Sequence, residues 1–463
     1  MKPYQNPRRA ERASSYLTVL WSCLIVSFLV FSYLAIVGIQ NAASMRSQAW
    51  NRCIAVSEAG IEEALAHLQK NGLTNNNLAS DGWWILDGHY YKRRKIDDGV
   101  YEVAITPNTT SPTILSRGYV KQVQNFWDND SDEVIADLFY WGTWNPQYLG
   151  RTVRVETRRD GMFMKGMVAK HWIDLNGNNI VTDSFDSADP RYSTNGLYYA
   201  PWSKDNGDVA TTSGLTNGVN LDIGNANIHG RLATGPRGTI SIGPNGSVGS
   251  HAWVNGGNKG LQPGYFTDDM NVSFAPVGAP FSTGYFTPSA GTVGGTNYDL
   301  VLGTGSYLSS TVGLSSEQKV LVNGHAVWWC KGNFSLSGKA AVIIAPGASL
   351  KLYVGQTTGS GVSADLSGNG VVNATGYSTN FIYYGLPSNT SLKFAGNAAF
   401  VGAVYAPNAA FNLGGGGNNT YDFVGASVTG TVTMNGHFNF HYDEALGRFG
   451  PSRGFIIASW NEI

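Results

Sequence analysis

The chain has 463 residues, with 31 basic side chains against 32 acidic ones and only 14% of residues charged. That balance leaves no global field for gripping duplex nucleic acid, and 42% apolar with 12% aromatic content excludes a wholly disordered chain. Of the 58 glycines, 13 fall in residues 1–200 and 45 in residues 201–463, so at least two structural parts are expected.

No charged residue occurs from Ala13 to Met45, and the apolar core from Tyr16 to Ile39 is long enough, at about 36 Å as a helix, to cross a bilayer. A cleaved signal peptide has a shorter apolar stretch, so a retained span is expected. Lys2, Arg8, Arg9 and Arg12 against Glu11 make the leader basic, which keeps residues 1–12 cytoplasmic and exports the bulk across a cell inner membrane. Helical spacing continues outward. Trp50, Ile54, Ile61, Leu65 and Leu68 form one stripe, no proline intervenes before Pro107, and Lys70, Asn71 and Gly72 supply a stop. One helix over about 14–70 is predicted, within a segment 13–72. Ala55, Ala59, Gly60 and Ala64 give it a small face that another helix could approach closely.

Residues 73–165 read as a small β-rich domain, with alternating strands at Gly99–Thr106, Thr113–Val120 and Arg151–Arg158. Asp128, Asp130, Asp132 and Glu133 lack the glycine and distal glutamate of a calcium loop and read as a solvated acidic excursion. Lys92, Arg93, Arg94 and Lys95 form the compact basic run, beside Tyr90 and Tyr91. Basic and aromatic groups together can grip a nucleic-acid strand, although a solvated turn next to Asp97 and Asp98 is the simpler reading.

From residue 166 to 463 short apolar bursts alternate with Gly, Asn, Ser and Thr, which predicts short strands and many turns. FVGA recurs at Phe400 and Phe423, and SLKL at Ser349 is echoed by SLKF at Ser391. Intervals of this size fit a right-handed parallel β-helix, a solenoid with rungs of about 21–23 residues, closed by Arg453–Ile463. The fold class expected is therefore mainly β with one long amino-terminal helix. Candidate carboxylates for polysaccharide cleavage are Asp183, Asp186, Asp189, Asp268, Asp269, Asp443 and Glu444. Sequence neighbours on a strand point to opposite faces, and His441 beside Asp443 has no nucleophile motif with it. Asp174, Asn176 and Asn178 begin like a calcium loop but do not finish like one. Gly414–Gly417 lacks the lysine of a phosphate loop, and Cys23, Cys53 and Cys330 make no disulfide framework. No catalytic residue, metal or cofactor is expected.

The basic leader, the single span and SEAGIEEALAHL (Ser57–Leu68) together resemble PilX-type minor pilins over about residues 8–70. GAVYAP (Gly402–Pro407), FHYDEAL (Phe440–Leu446) and Asp174–Pro190 resemble β-helical envelope domains fused to such amino termini. The resemblance implies a non-enzymatic component of a type IV pilus or pseudopilus that assembles with other pilin-like subunits and presents a β-solenoid for scaffolding or adhesion. The alternative is a membrane-anchored protein that binds or cleaves surface polysaccharide. The chain departs from ordinary pilins in one respect: cleavage after Ala13 or Ser14 would put Thr18 or Val19 at the fifth mature position, where pilins usually carry glutamate.

Overall fold

The computed structural model describes residues 8–71, 78–97, 99–108, 111–121, 148–177, 180–214, 218–395, 399–414, 420–435 and 438–463. They form two compact units, Met1–Arg159 with Gly454–Ile463, and Asp160–Arg453.

In the first unit a 64-residue helix, Arg8–Asn71, spans about 96 Å. Its apolar segment is long and apolar enough to cross a membrane, and no part of that stretch is buried. Further along, Cys53, Val56, Ile61, Ala64 and Leu68 are buried on one side. Of the expected stripe, Ile61 and Leu68 are inside, Ile54 and Leu65 are half-buried against the same core, and Trp50 is exposed. The partner is a six-stranded sheet in the spatial order Trp84–Leu86, His89–Ile96, Gly99–Thr106, Thr113–Lys121, Tyr148–Gly161, Ser452–Glu462. The first five strands pair antiparallel. Alternation sends Val103, Ile105, Ile114, Val120, Leu149, Val153 and Val155 to the helix side. The acidic excursion at 128–133 lies outside the described residues.

In the second unit most pairings are parallel, in a 22-stranded sheet and a five-stranded one, counted among the described residues. The recurrent FVGA does align: Phe400 pairs with Phe423 and Gly402 with Gly425. Phe400, Phe423 and Phe440 stack in a row, with centroids 4.4 and 4.6 Å apart. The large apolar core is built from such inward positions.

The expectation of one right-handed parallel β-helix wound through 166–463 is corrected. The sheets are mostly parallel but open, and their spatial order does not follow the chain. Met167–Ala169 pairs with Ser427–Thr429 on one side and Val209–Thr211 on the other, so the start of the unit lies beside its end. Paired residues are separated by unequal intervals, 17 residues for Tyr421 with Phe438 and 31 for Leu350 with Phe381. The two SLK segments do not align: Ser349–Val354 lies between His325–Cys330 and Phe381–Gly385, whereas Asn389–Phe394 lies between Val362–Leu366 and Phe400–Leu413. Residues 454–463 are not a closing strand of this unit and join the antiparallel sheet of the first. Residues 268–288 connect the strands Phe266–Thr267 and Ser289–Val293, with Phe274, Val277 and Phe281 packed on an outer cluster that includes Trp329, Tyr353, Tyr384 and Tyr405. Short repeats reported local strand pairing, which any parallel ladder produces, and carried no information about chain order.

Candidate functional site: the helix seat and a buried polar staple

The helix is seated on its sheet by small residues from both sides. A Cβ at Gly118 would stand 2.4 Å from the Cys53 carbonyl oxygen and 2.6 Å from the Ser57 nitrogen, and one at Gly60 would stand 2.4 Å from Ser116 Oγ. Around these approaches the polar groups are satisfied. Ser116 Oγ donates to the Ser57 carbonyl (2.8 Å), Ser57 Oγ to the Arg151 carbonyl (3.1 Å), and Cys53 Sγ to the Leu149 carbonyl (3.1 Å). The sequence-predicted small face is consequently divided. Gly60 and Ala64 are buried against the protein's own strands, Ala59 is half-buried, and Ala55 is exposed.

Beside the seat lies an open cleft of about 490 Å³, lined by Glu63, His67, Lys92, Arg94 and Tyr101 among others. Strand alternation splits the basic run: Lys92 and Arg94 turn to the helix, where they pair with Glu63 at 2.5 and 3.4 Å, while Arg93 turns away and pairs with Glu102 at 3.4 Å. Burial would raise the Glu63 pKa, but hydrogen bonds from Lys92 and Tyr101 and the charges of Lys92 and Arg94 outweigh it and hold the carboxyl below its usual range. Burial and the Glu63 contact push the Tyr101 phenol up.

In the second unit Asp183 meets the FHYDEAL segment, which carries Asp443 and Glu444, and Asp186 meets Arg448 just beyond it. Strands Val181–Phe185 and Phe438–Asp443 are parallel neighbours, with His441 opposite Asp183. His441 Nδ1 is 2.6 Å from Asp183 Oδ1 and its Nε2 is 3.3 Å from Asp422 Oδ1. Tyr198 stacks on the imidazole at 3.7 Å and donates to Asp183 Oδ2 at 2.8 Å. Burial works against an imidazolium here, yet the hydrogen bonds and charges of Asp183 and Asp422 prevail and push His441 up to about 9. The same bond holds Asp422 below its usual range.

Asp443 is fully buried and does not orient His441. It accepts from Ser378 Oγ (2.5 Å), Ser187 Oγ (2.8 Å) and the Ser187 and Ala445 amides (both 3.1 Å). Burial pushes its pKa up against these donors. Asp186 takes Arg448 in a two-oxygen contact at 2.6 Å, Glu444 takes Lys204, Ser184 and Asn206, and Asp189 takes Arg191. Asp268 and Asp269 lie exposed on the 268–288 link. Asp174 and Asp222 pair side by side on neighbouring strands, and burial together with Asp222's charge raises the Asp174 pKa. No cluster of three or more metal-ligating side chains occurs among the described residues. Asn178 and most of the glycine run lie outside them. None of the three cysteines is in a disulfide. Sequence reading missed Tyr198, Asp422 and Ser378, which come from segments with no motif of their own.

A family profile described as "Domain of unknown function (DUF7305)" matches residues 285–449, under half of the chain. No curated protein matches the chain. Among solved structures, the competence-associated pilin ComZ from Thermus thermophilus is 11% identical, with 90% of this chain and 97% of that chain covered, at a TM-score of 0.24. A likeness that slight carries no functional argument.

Proposed function

We propose that the chain is a non-enzymatic, pilin-like protein of the cell envelope, anchored by one span in the inner membrane with its bulk outside the cytoplasm. The carrying observation is the single helix that runs without a break from an unburied apolar segment into a close-packed seat on an antiparallel sheet. A detachable anchor needs no such continuity, whereas an assembly component has its folded head fixed to the membrane helix. The first unit would enter a type IV pilus or pseudopilus assembly, and the large β unit would serve as scaffold or adhesive module. The engagement of Asp183, Asp186, Asp189, Asp443 and Glu444 in ion pairs and hydrogen bonds supports a structural role for these five over catalysis. A periplasm-active phosphatase reporter fused after Gly72 should be active and a cytoplasmic reporter silent. The converse result would overturn the orientation. Co-isolation of other pilin-like subunits from detergent extracts tests the assembly role.

A further inference from the structure

The sheet of the first unit has a second face, turned away from the helix, and its register defines what stands there. One row across the strands is Tyr91, Ala104, Leu115 and Arg154, the next is Arg93, Glu102, Arg117 and Thr152, and the next is Lys95, Val100, Tyr119 and Gly150. Since alternate residues on a strand share a face, Arg93, Lys95, Arg117, Lys121 and Arg154 all stand on this one, against Glu102 and Glu156. Lys95, Arg117 and Arg154 are exposed, Arg154 in a solvent-exposed ion pair with Glu156 at 3.3 Å that a phosphate would have to replace, whereas Val100 and Tyr148 at the other end of the face are buried together with part of Tyr119. In a protein with nearly equal numbers of acids and bases, this is a local excess of positive charge. It has aromatic company: Trp84, 41% exposed at the sheet edge, lies nearly parallel to Tyr91 at 20°, with ring centroids 6.1 Å apart.

We propose that this face binds single-stranded nucleic acid, with Lys95, Arg117 and Arg154 on the phosphates and the Trp84–Tyr91 pair stacking with a base. Positive side chains that follow a backbone, beside rings that accept any base, are the two components of sequence-tolerant single-strand binding. Charge alone would suit any polyanion, and the paired rings favour the nucleic acid. A duplex keeps its bases stacked on one another and offers no such surface to the rings. The basic run in the sequence is only half of the site, because Lys92 and Arg94 are spent on Glu63, and the remainder comes from two strands further along the chain.

The test uses the full chain in neutral detergent and a fluorescein-labelled 20-mer of oligothymidylate, read by anisotropy between 50 and 200 mM NaCl. Binding should weaken with salt, and the triple variant Lys95→Gln, Arg117→Gln, Arg154→Gln should flatten the log–log salt slope by about 2 units, three phosphate contacts at roughly 0.7 each. Tyr91→Leu should weaken binding about tenfold, while Tyr91→Phe, which keeps the ring, should not. Lys351→Gln in the other unit is the control, and continued protection of buried Cys53 from thiol reagents shows that each variant remains folded. No binding at 50 mM salt, an unchanged slope in the triple variant, or equal loss in Tyr91→Leu and Tyr91→Phe would overturn the proposal. So would tighter binding of a 20-base-pair duplex, or binding of phosphatidylglycerol vesicles without the oligonucleotide, which would assign the face to a membrane surface.

Discussion

Gly118→Ala is the sharpest perturbation of the helix seat. The added carbon would lie 2.4, 2.6 and 2.7 Å from the Cys53 oxygen, Ser57 nitrogen and Ser57 Oγ. Two of these atoms are helix backbone, so no rotamer change relieves the clash, and the helix must back away by most of an ångström. Overpacking of this kind costs about 1–3 kcal/mol. The movement also stretches the hydrogen bonds from Ser116, Ser57 and Cys53 across the seat, each worth about 1 kcal/mol. Against this, replacing a strand glycine by alanine gains about 0.5–1 kcal/mol. With the stretched hydrogen bonds losing about half of their value each, the net loss is about 2–4 kcal/mol, which corresponds to roughly 30- to 1,000-fold more frequent opening of the seat. The readout is the rate at which Cys53, buried and unbridged, reacts with a maleimide under native conditions in a background where Cys23 and Cys330 are replaced by serine and alanine. Gly38→Ala, in the apolar helix segment with nothing within 4 Å, is the control. If Gly118→Ala reacted at the parent rate, the close approach of helix and strand would be wrong.

Three further outcomes are expected. His441, held at about 9 against an ordinary 6.5, contributes stability that is complete below pH 6.5 and is lost as pH rises through 9. Hydrogen-exchange protection of 438–443 and 181–185, corrected for intrinsic rate, should therefore fall above pH 9, and in Asp422→Asn the fall should begin at lower pH. His229 has the opposite sign. Burial lowers its pKa, so its contribution fades as pH drops below about 6.5, and protection of 227–229 should weaken in acid. On the helix, Ala55→Trp should disturb association with other subunits and leave Cys53 protected, whereas Gly60→Trp should expose Cys53 because its side chain would run into Ser116 and Tyr101. Loss of Cys53 protection in Ala55→Trp would place Ala55 in the seat as well.

The apolar span, the helix end near Lys70 and the three strands of the small sheet were legible because each depends on local periodicity. The FVGA pairing was legible for the same reason, since identical neighbours on a parallel ladder bring like side chains together. Chain order was not. Nothing local distinguishes a strand that pairs with its successor from one, such as Met167–Ala169, that pairs with residues 427–429. The small helix face illustrates a different limit: Gly60 and Ala64 advertise a close approach, but the sequence does not say whether a partner helix or the protein's own Gly118 strand makes it. His441 was noticed beside the wrong acid, because Asp443 is near in sequence while Asp183 is brought near only by strand pairing.

That last displacement accounts for the gathering of charged groups where the carboxyl-terminal strands of the second unit meet its first ones. The strands at 167–185 would present unpaired amide and carbonyl edges if the carboxyl-terminal strands did not return to them, and open edges of that kind invite pairing with other chains. The return is specified by side chains that fit only one register: His441 between Asp183 and Asp422, Asp443 among Ser187, Ser378 and the Ala445 amide, and Arg448 on Asp186. A slip of the strand Phe438–Asp443 by one residue would move His441 and Asp443 to its other face, leaving a buried carboxylate and imidazole without partners at a cost of several kcal/mol. The polar staple thus penalises incorrect closure far more than it rewards correct closure, which is what a chain needs when its last strands must find its first ones across more than 250 residues.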